Sequence, residues 1–209
     1  MIQDALQVFL NICDKGQLQD NLTFIAIYIG LYESFADTVE GHVESFLCDD
    51  AFLDKSGKLR YEPSEHYTKE IKKRSVDKKG NHNTLKSTML WFMENGAITQ
   101  DDYKSFLELK DLRNIFVHEM TEYLWKGLYE AHAKALGDLL SLYRKIERWW
   151  INEIEIPIAG DEVPNGYNSD TVISGILLTF DMMIDVLYNG KSEEYLKMIR
   201  DLQMTDKGI

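Results

Sequence analysis

Only three prolines, Pro63, Pro157 and Pro164, occur in 209 residues. A proline inside a helix removes a backbone donor and clashes with the preceding turn, so this scarcity leaves long segments free to be helical. Most of those segments carry apolar residues at three- and four-residue spacing rather than in alternation. The pattern predicts an all-α fold, a helical bundle with up to eight helices. Hydrophobic residues make up 44% and charged residues 28%, a mixture that supports a folded core and excludes disorder throughout. At this length one domain is the expectation.

Asp4 to Asp14 reads as a short amphipathic helix with Leu6, Phe9, Leu10 and Cys13 on one side, broken at Gly16. A long helix is expected from about Asp20, a good N-cap, to Leu47, with Asp49-Asp50 at its end. Residues 49–83 are polar and punctuated by Gly57, Pro63 and Gly80; they read as an exposed insertion in which Tyr67 to Val76 adds one helix. Asn83 caps the next helix, which Asn95-Gly96 stops. Thr99 with Asp102 forms a capping-box pattern that opens a helix through Met120. Another spans Tyr129 to Glu153 and ends before Pro157. Pro157 to Asn168 is a loop, and Asp170 to Leu187 and Ser192 to Gln203 are the last helices. The expected core is thus about 20–153, with a C-terminal helical extension at about 169–204.

The charge of −12, from 23 basic and 35 acidic residues, disfavours a uniformly basic nucleic-acid binder or a binder of anionic membranes. Cys13 and Cys48 are too few for a disulfide framework or a zinc site, which fits a reducing, cytoplasmic location. No basic stretch precedes an apolar one at Met1 to Leu6, and Ile173 to Phe180, the longest apolar-looking segment, falls short of the ~20 residues that cross a bilayer. Neither secretion nor a membrane span is expected.

The chemistry lies in Leu109 to Glu119. On a helix, Leu109, Leu112, Phe116 and Met120 share one side, while Asp111, Asn114 and His118 share the other. Asn114 and His118 are one turn apart and can reach one ligand, whereas Arg113 and His118 are about 140° apart. A second copy of the helix, packed against the first, would gather Arg113, Asn114 and His118 of both into one cleft. Histidine moves protons near neutral pH, and the arginine fork matches phosphate oxygens. The pair suits attack of an RNA 2′-hydroxyl on its neighbouring phosphate, which needs a base, an acid and charge stabilisation but no metal.

Arg113-Asn114-x-x-x-His118 resembles the motif of the HEPN superfamily: Arg, then four to six residues beginning with a polar one, then His. The surroundings are similar too, with a helix ending at Asn95-Gly96, Ile98-Thr99 leading into an acidic helix, and a long helix afterwards. The resemblance covers about 20–153. It implies a bundle that dimerises through this helix and, as in active members, a metal-independent endoribonuclease of a defence or toxin system. Arg113, Asn114 and His118 would then be catalytic, RNA the substrate, no cofactor used, and an antitoxin or regulatory protein the partner. Other members only bind partners, and helical regulators related to the mannitol-operon repressor carry a similar stretch. A non-catalytic binding or regulatory protein is therefore the alternative.

Other constellations admit two readings each. Glu33, Asp37, Glu40 and Glu44 share a helix face, either as a solvated acidic surface or with one or two of them facing Arg113. Residues 55–79 hold nine basic and four acidic side chains, leaving −17 on the rest. Lys69, Lys72, Lys73 and Arg74 are the candidate RNA-binding residues there, with Tyr61 and Tyr67 as stacking surfaces, against a solvated loop. Trp149 and Trp150 point about 100° apart, so one must lie near the core boundary. No metal site is expected: Glu40-Gly41-His42 and Glu130-Ala131-His132 lack the Glu-x-x-His spacing, and His118 with Glu122 supplies only two ligands.

Overall fold

The computed structural model describes residues 2–57, 59–163 and 165–206, so Lys58 of the basic segment and Pro164 of the expected loop lie outside the described residues. The fold is all-α with one small hairpin. Its order is α1 (Ile2–Cys13), α2 (Lys15–Leu47), β1 (Asp50–Leu53), β2 (Leu59–Glu62), α3 (Glu65–Tyr67), α4 (Thr84–Glu94), α5 (Gln100–His118), α6 (Met120–Lys126), α7 (Glu130–Trp150), α8 (Ile156–Ala159), α9 (Gly175–Tyr188) and α10 (Ser192–Asp206). These are ten α-helical segments among the described residues rather than eight.

Helix α2 is the axis of the bundle. Its 33 residues span about 50 Å. Phe24, Ile25, Tyr28, Leu31, Tyr32, Phe35, Val39, Val43 and Leu47 are buried along it, against α4, α5, α6 and α7. It starts earlier than Asp20: Asp14 is the N-cap, its carboxylate accepting from Gln17 N at 3.0 Å, and Gly16 sits in the first turn instead of breaking the chain. The longest uncharged apolar run is Leu22 to Tyr32, not Ile173 to Phe180, and α2 is long and apolar enough to cross a membrane by length and composition. Here that apolar surface meets the other core helices.

Helix α5 is antiparallel to α2. The Tyr28 hydroxyl donates to the Leu109 carbonyl at 3.0 Å, and Phe116 meets Tyr28, Phe24 and Tyr123 edge-on at 5.2, 6.3 and 5.3 Å. The Thr99 capping box forms as expected, with Thr99 N donating to Asp102 Oδ2 at 2.7 Å. α5 stops at His118, because Glu119 leaves helical geometry (φ −122°, ψ 20°) before α6 begins. Helix α7 runs parallel to α2, tied to it by the 2.6 Å contact of Tyr143 Oη with Thr38 Oγ1 and by His42. Its helical path does not end before Pro157. A wide turn over Ile151–Glu155, with Ile156 N bonded to Ile151 O, leads directly into α8. A register with five residues per bond absorbs the proline that an ordinary turn would reject.

Three further expectations need correction. Residues 49–83 are not merely an exposed insertion: β1 and β2 form an antiparallel hairpin, and the segment over Glu65–Lys72 buries Tyr67 and Ile71 on the bundle. Ser64 fixes it, donating to the Leu47 carbonyl and accepting from Tyr67 N. On α1, Leu6, Phe9 and Leu10 are exposed, since α1 meets α6 and α2 by another face, where Asn11 Nδ2 donates to the Trp125 carbonyl at 2.6 Å. The C-terminal extension starts its helix at Gly175, not Asp170, and rests on α7 through buried Leu177 and Phe180 and an Arg144–Asp181 ion pair.

Trp150 is buried and Trp149 half-buried, with Trp149 edge-on to Trp91 and Phe92 at 6.3 and 5.9 Å. His42 stacks on Trp150 at 4.3 Å and 10°, and its Nε2 lies 2.6 Å from Oε1 of Glu147, which is 4% exposed. Removing the imidazole strands a buried carboxylate. His42→Ala is expected to lower stability by roughly 3–5 kcal/mol in urea unfolding, with Glu147→Gln in the same background recovering part of the loss.

Candidate functional site

The 140° separation of Arg113 and His118 has a direct structural counterpart. The Arg113 side chain turns toward α2, where its Nε donates to Glu33 Oε1 at 2.6 Å and its Nη2 reaches the same oxygen. Its Nη1 donates to Asn114 Oδ1 at 3.2 Å, and its guanidinium carbon lies 6.0 Å from the centroid of the Tyr32 ring. Of the four acidic residues that share one face of α2, Glu33 is thus the one that meets Arg113. The guanidinium is half-buried, so this ion pair is neither fully screened nor locked in the core.

His118 lies at the last residue of α5, exposed, with no hydrogen bond or ion pair among the described residues. Asn114, one turn before it, is half-buried. Arg113 and Asn114 are therefore joined by a hydrogen bond within the single chain, and among the described residues no contact joins either of them to His118.

Tyr32 was not among the sequence candidates. Its ring is 4% exposed and its hydroxyl is buried without a hydrogen-bond partner among the described residues. Burial pushes the hydroxyl pKa up, and Arg113 opposes this in part. The signal was its place beside Glu33 and one turn from Tyr28, but a tyrosine on an apolar stripe reads as core. Lower on the same flank, Glu44 accepts from the Tyr67 hydroxyl at 3.1 Å.

The four basic candidates differ in their surroundings. Arg74 is in an ion pair with Glu94 at the end of α4. Lys72 lies over the Tyr67 ring at 5.7 Å. Lys69, 82% exposed at its side chain, is 3.6 Å from Glu70. Lys69 and Lys73 line a shallow cleft of about 840 Å³ with Pro63, His66 and Thr68. Glu44, which anchors this region, is eleven residues beyond Glu33 on α2, about 16 Å along the helix. Among the described residues, no three His, Cys, Asp or Glu side chains gather to hold a metal ion, and Glu122 pairs with Lys126.

Between these two regions Glu40 carries a carboxyl pushed up to about 7, first by burial and then by the neighbouring charges of Glu44 and Asp37. The folded chain therefore holds a proton that the unfolded chain releases near its ordinary value of 4.5. Stability contributed by this group is full below that value and is lost as pH rises through about 7. Glu40→Gln should match the parent chain in denaturant unfolding at about pH 4 and exceed it at about pH 8; equal stabilities at both would contradict the assignment. No protein-family model, curated protein or solved structure matches the chain.

Proposed function

We propose that the protein is a metal-independent endoribonuclease, active as a homodimer in which the two α5 helices lie near a common two-fold axis. The observation that carries the reading is the state of the motif helix: an exposed histidine with no partner among the described residues stands one turn from a half-buried Asn114 that already holds the Arg113 guanidinium. The resemblance of Arg113-Asn114-x-x-x-His118 to the HEPN motif supports the same reading.

In this mechanism His118 accepts the proton of the ribose 2′-hydroxyl or protonates the leaving 5′-oxygen. Arg113 stabilises the charge that builds on the phosphorane, and Asn114 orients a non-bridging oxygen. Glu33 holds the guanidinium in place until substrate arrives, and an incoming phosphate competes with it for the fork. Lys69, Lys72 and Lys73 supply attraction for the backbone of the RNA beyond the cleaved bond. A defence or toxin role, with an antitoxin or regulatory protein as partner and a cytoplasmic location, belongs to the same proposal.

One observation favours the second reading, a non-catalytic binding or regulatory protein: Glu33 already neutralises Arg113. RNA cleavage separates the two. The ribonuclease reading expects cutting of RNA but not DNA in EDTA, with a 2′,3′-cyclic phosphate end. His118→Ala should slow it by about 10²–10⁴-fold, and Arg113→Lys should impair it although the charge is kept. Absence of cleavage across a broad RNA panel, or identical cleavage by His118→Ala, would leave the binding reading.

A further inference from the structure

The hairpin on the far end of α2 is built in a way that one copy does not satisfy. In its register Asp50 faces Glu62, Ala51 faces Tyr61, Phe52 faces Arg60 and Leu53 faces Leu59. Directly opposed residues point to the same face, so Ala51, Leu53, Leu59 and Tyr61 make one face, and Asp50, Phe52, Arg60 and Glu62 the other. The first is apolar yet uncovered, with Leu53 and Leu59 68% and 50% exposed. The second opposes two carboxylates, Asp50 and Glu62, and neither has an ion-pair partner among the described residues. Like charges in a cross-strand pair are destabilising. An isolated two-stranded hairpin is already marginal in water. Among the described residues no third strand joins this sheet, so both outer edges lack a strand partner.

A second copy of the same strand closes the open edge of β2 and relieves the opposed carboxylates. When β2 pairs antiparallel with β2 of another copy about an axis through Tyr61, Tyr61 meets Tyr61, and Arg60 of each copy stands opposite Glu62 of the other. Each Asp50–Glu62 repulsion then gains an arginine beside it. The apolar faces join into one continuous strip across four strands, and two unpaired edges become ladder hydrogen bonds. The outer edge of β1 offers no such match. Pairing about Phe52 sets Ala51 against Leu53, and pairing about Ala51 sets Asp50 against Phe52, so no acidic group gains a cation. Arg60 already reaches Asp54 at 3.0 Å, but its side chain is 52% exposed and has donors to spare.

We infer that β2 is a homotypic docking edge, through which two copies of this chain associate as a four-stranded antiparallel sheet with an Arg60–Glu62 pair at each side of the axis. The inference stands on the hairpin alone and does not depend on the ribonuclease reading. With α5 also on a two-fold axis, the hairpin would supply a second, distinct contact and an assembly larger than a dimer.

The test is a charge swap on the full chain, read as mass by light scattering with circular dichroism to confirm folding. Arg60→Glu and Glu62→Arg should each halve the assembly mass, and the double variant Arg60→Glu/Glu62→Arg should restore it, because the pair survives with its signs exchanged. An unchanged mass in either single variant, a double variant that fails to recover, or a monomeric parent chain overturns the proposal. A second measurement avoids any dependence on altered charge. Opposed residues of an antiparallel pair lie about 4.5–5.5 Å apart at Cα, within disulfide reach. With Cys13 and Cys48 replaced by Ser, Tyr61→Cys should oxidise to a covalent dimer, whereas Leu53→Cys on the outer strand should not. Equal cross-linking at both positions, or none at Cys in place of Tyr61, counts against it.

Discussion

Burial of the long apolar stripe of α2 is the constraint on which the rest depends. A 33-residue helix with this much apolar surface must be covered along most of its length, and α4, α5 and α7 do so. The cover is specified by polar anchors within an apolar interface: the Tyr28 hydroxyl on the Leu109 carbonyl, Tyr143 on Thr38, and His42 on Glu147. Each fixes register as well as contributing energy, since a slide of one turn would leave a buried polar group without a partner. The same helix carries Tyr32 and Glu33 on the flank that α5 meets, so the position of Arg113 follows from core packing.

This arrangement divides the motif. Core packing points Arg113 back toward α2 and leaves His118 outward at the helix end, and a single chain therefore offers an arginine–asparagine–glutamate cluster and a separate histidine. Two-fold symmetry is the simplest way to bring the parts of such a site together. The hairpin at the other end of α2 presents the same logic in a different element, a surface whose charges and edges match themselves under rotation.

The helices were legible where caps and periodicity agree. Asn83, and Thr99 with Asp102, marked true starts, because a side-chain oxygen that accepts a backbone donor is a local device. Asp14 was overlooked in favour of Asp20 since both are good caps, and only tertiary contact decides that α2 starts immediately after α1. The β1–β2 hairpin was hidden by short strands, each with only two apolar positions on one face. Pro157 was read as a stop because the wide turn that accommodates it has no sequence signature. Of the candidate site, Arg113 and Asn114 were picked out from spacing, whereas contact of Arg113 with the acidic face of α2 was one of two readings that spacing left open. Tyr32 and the His42–Glu147 pair were not picked out, because their roles come from helices 81 and 105 residues away in sequence.

The central claim is that Arg113 and His118 act together only across two copies. It is tested most directly by mixing two inactive variants, Arg113→Ala and His118→Ala, and measuring RNA cleavage after subunit exchange. A composite site predicts that the mixture recovers a substantial fraction of parent activity, because the mixed dimer holds one intact arginine and one intact histidine on opposite copies. A mixture no more active than either variant alone, with mixed dimers demonstrably formed, would contradict it.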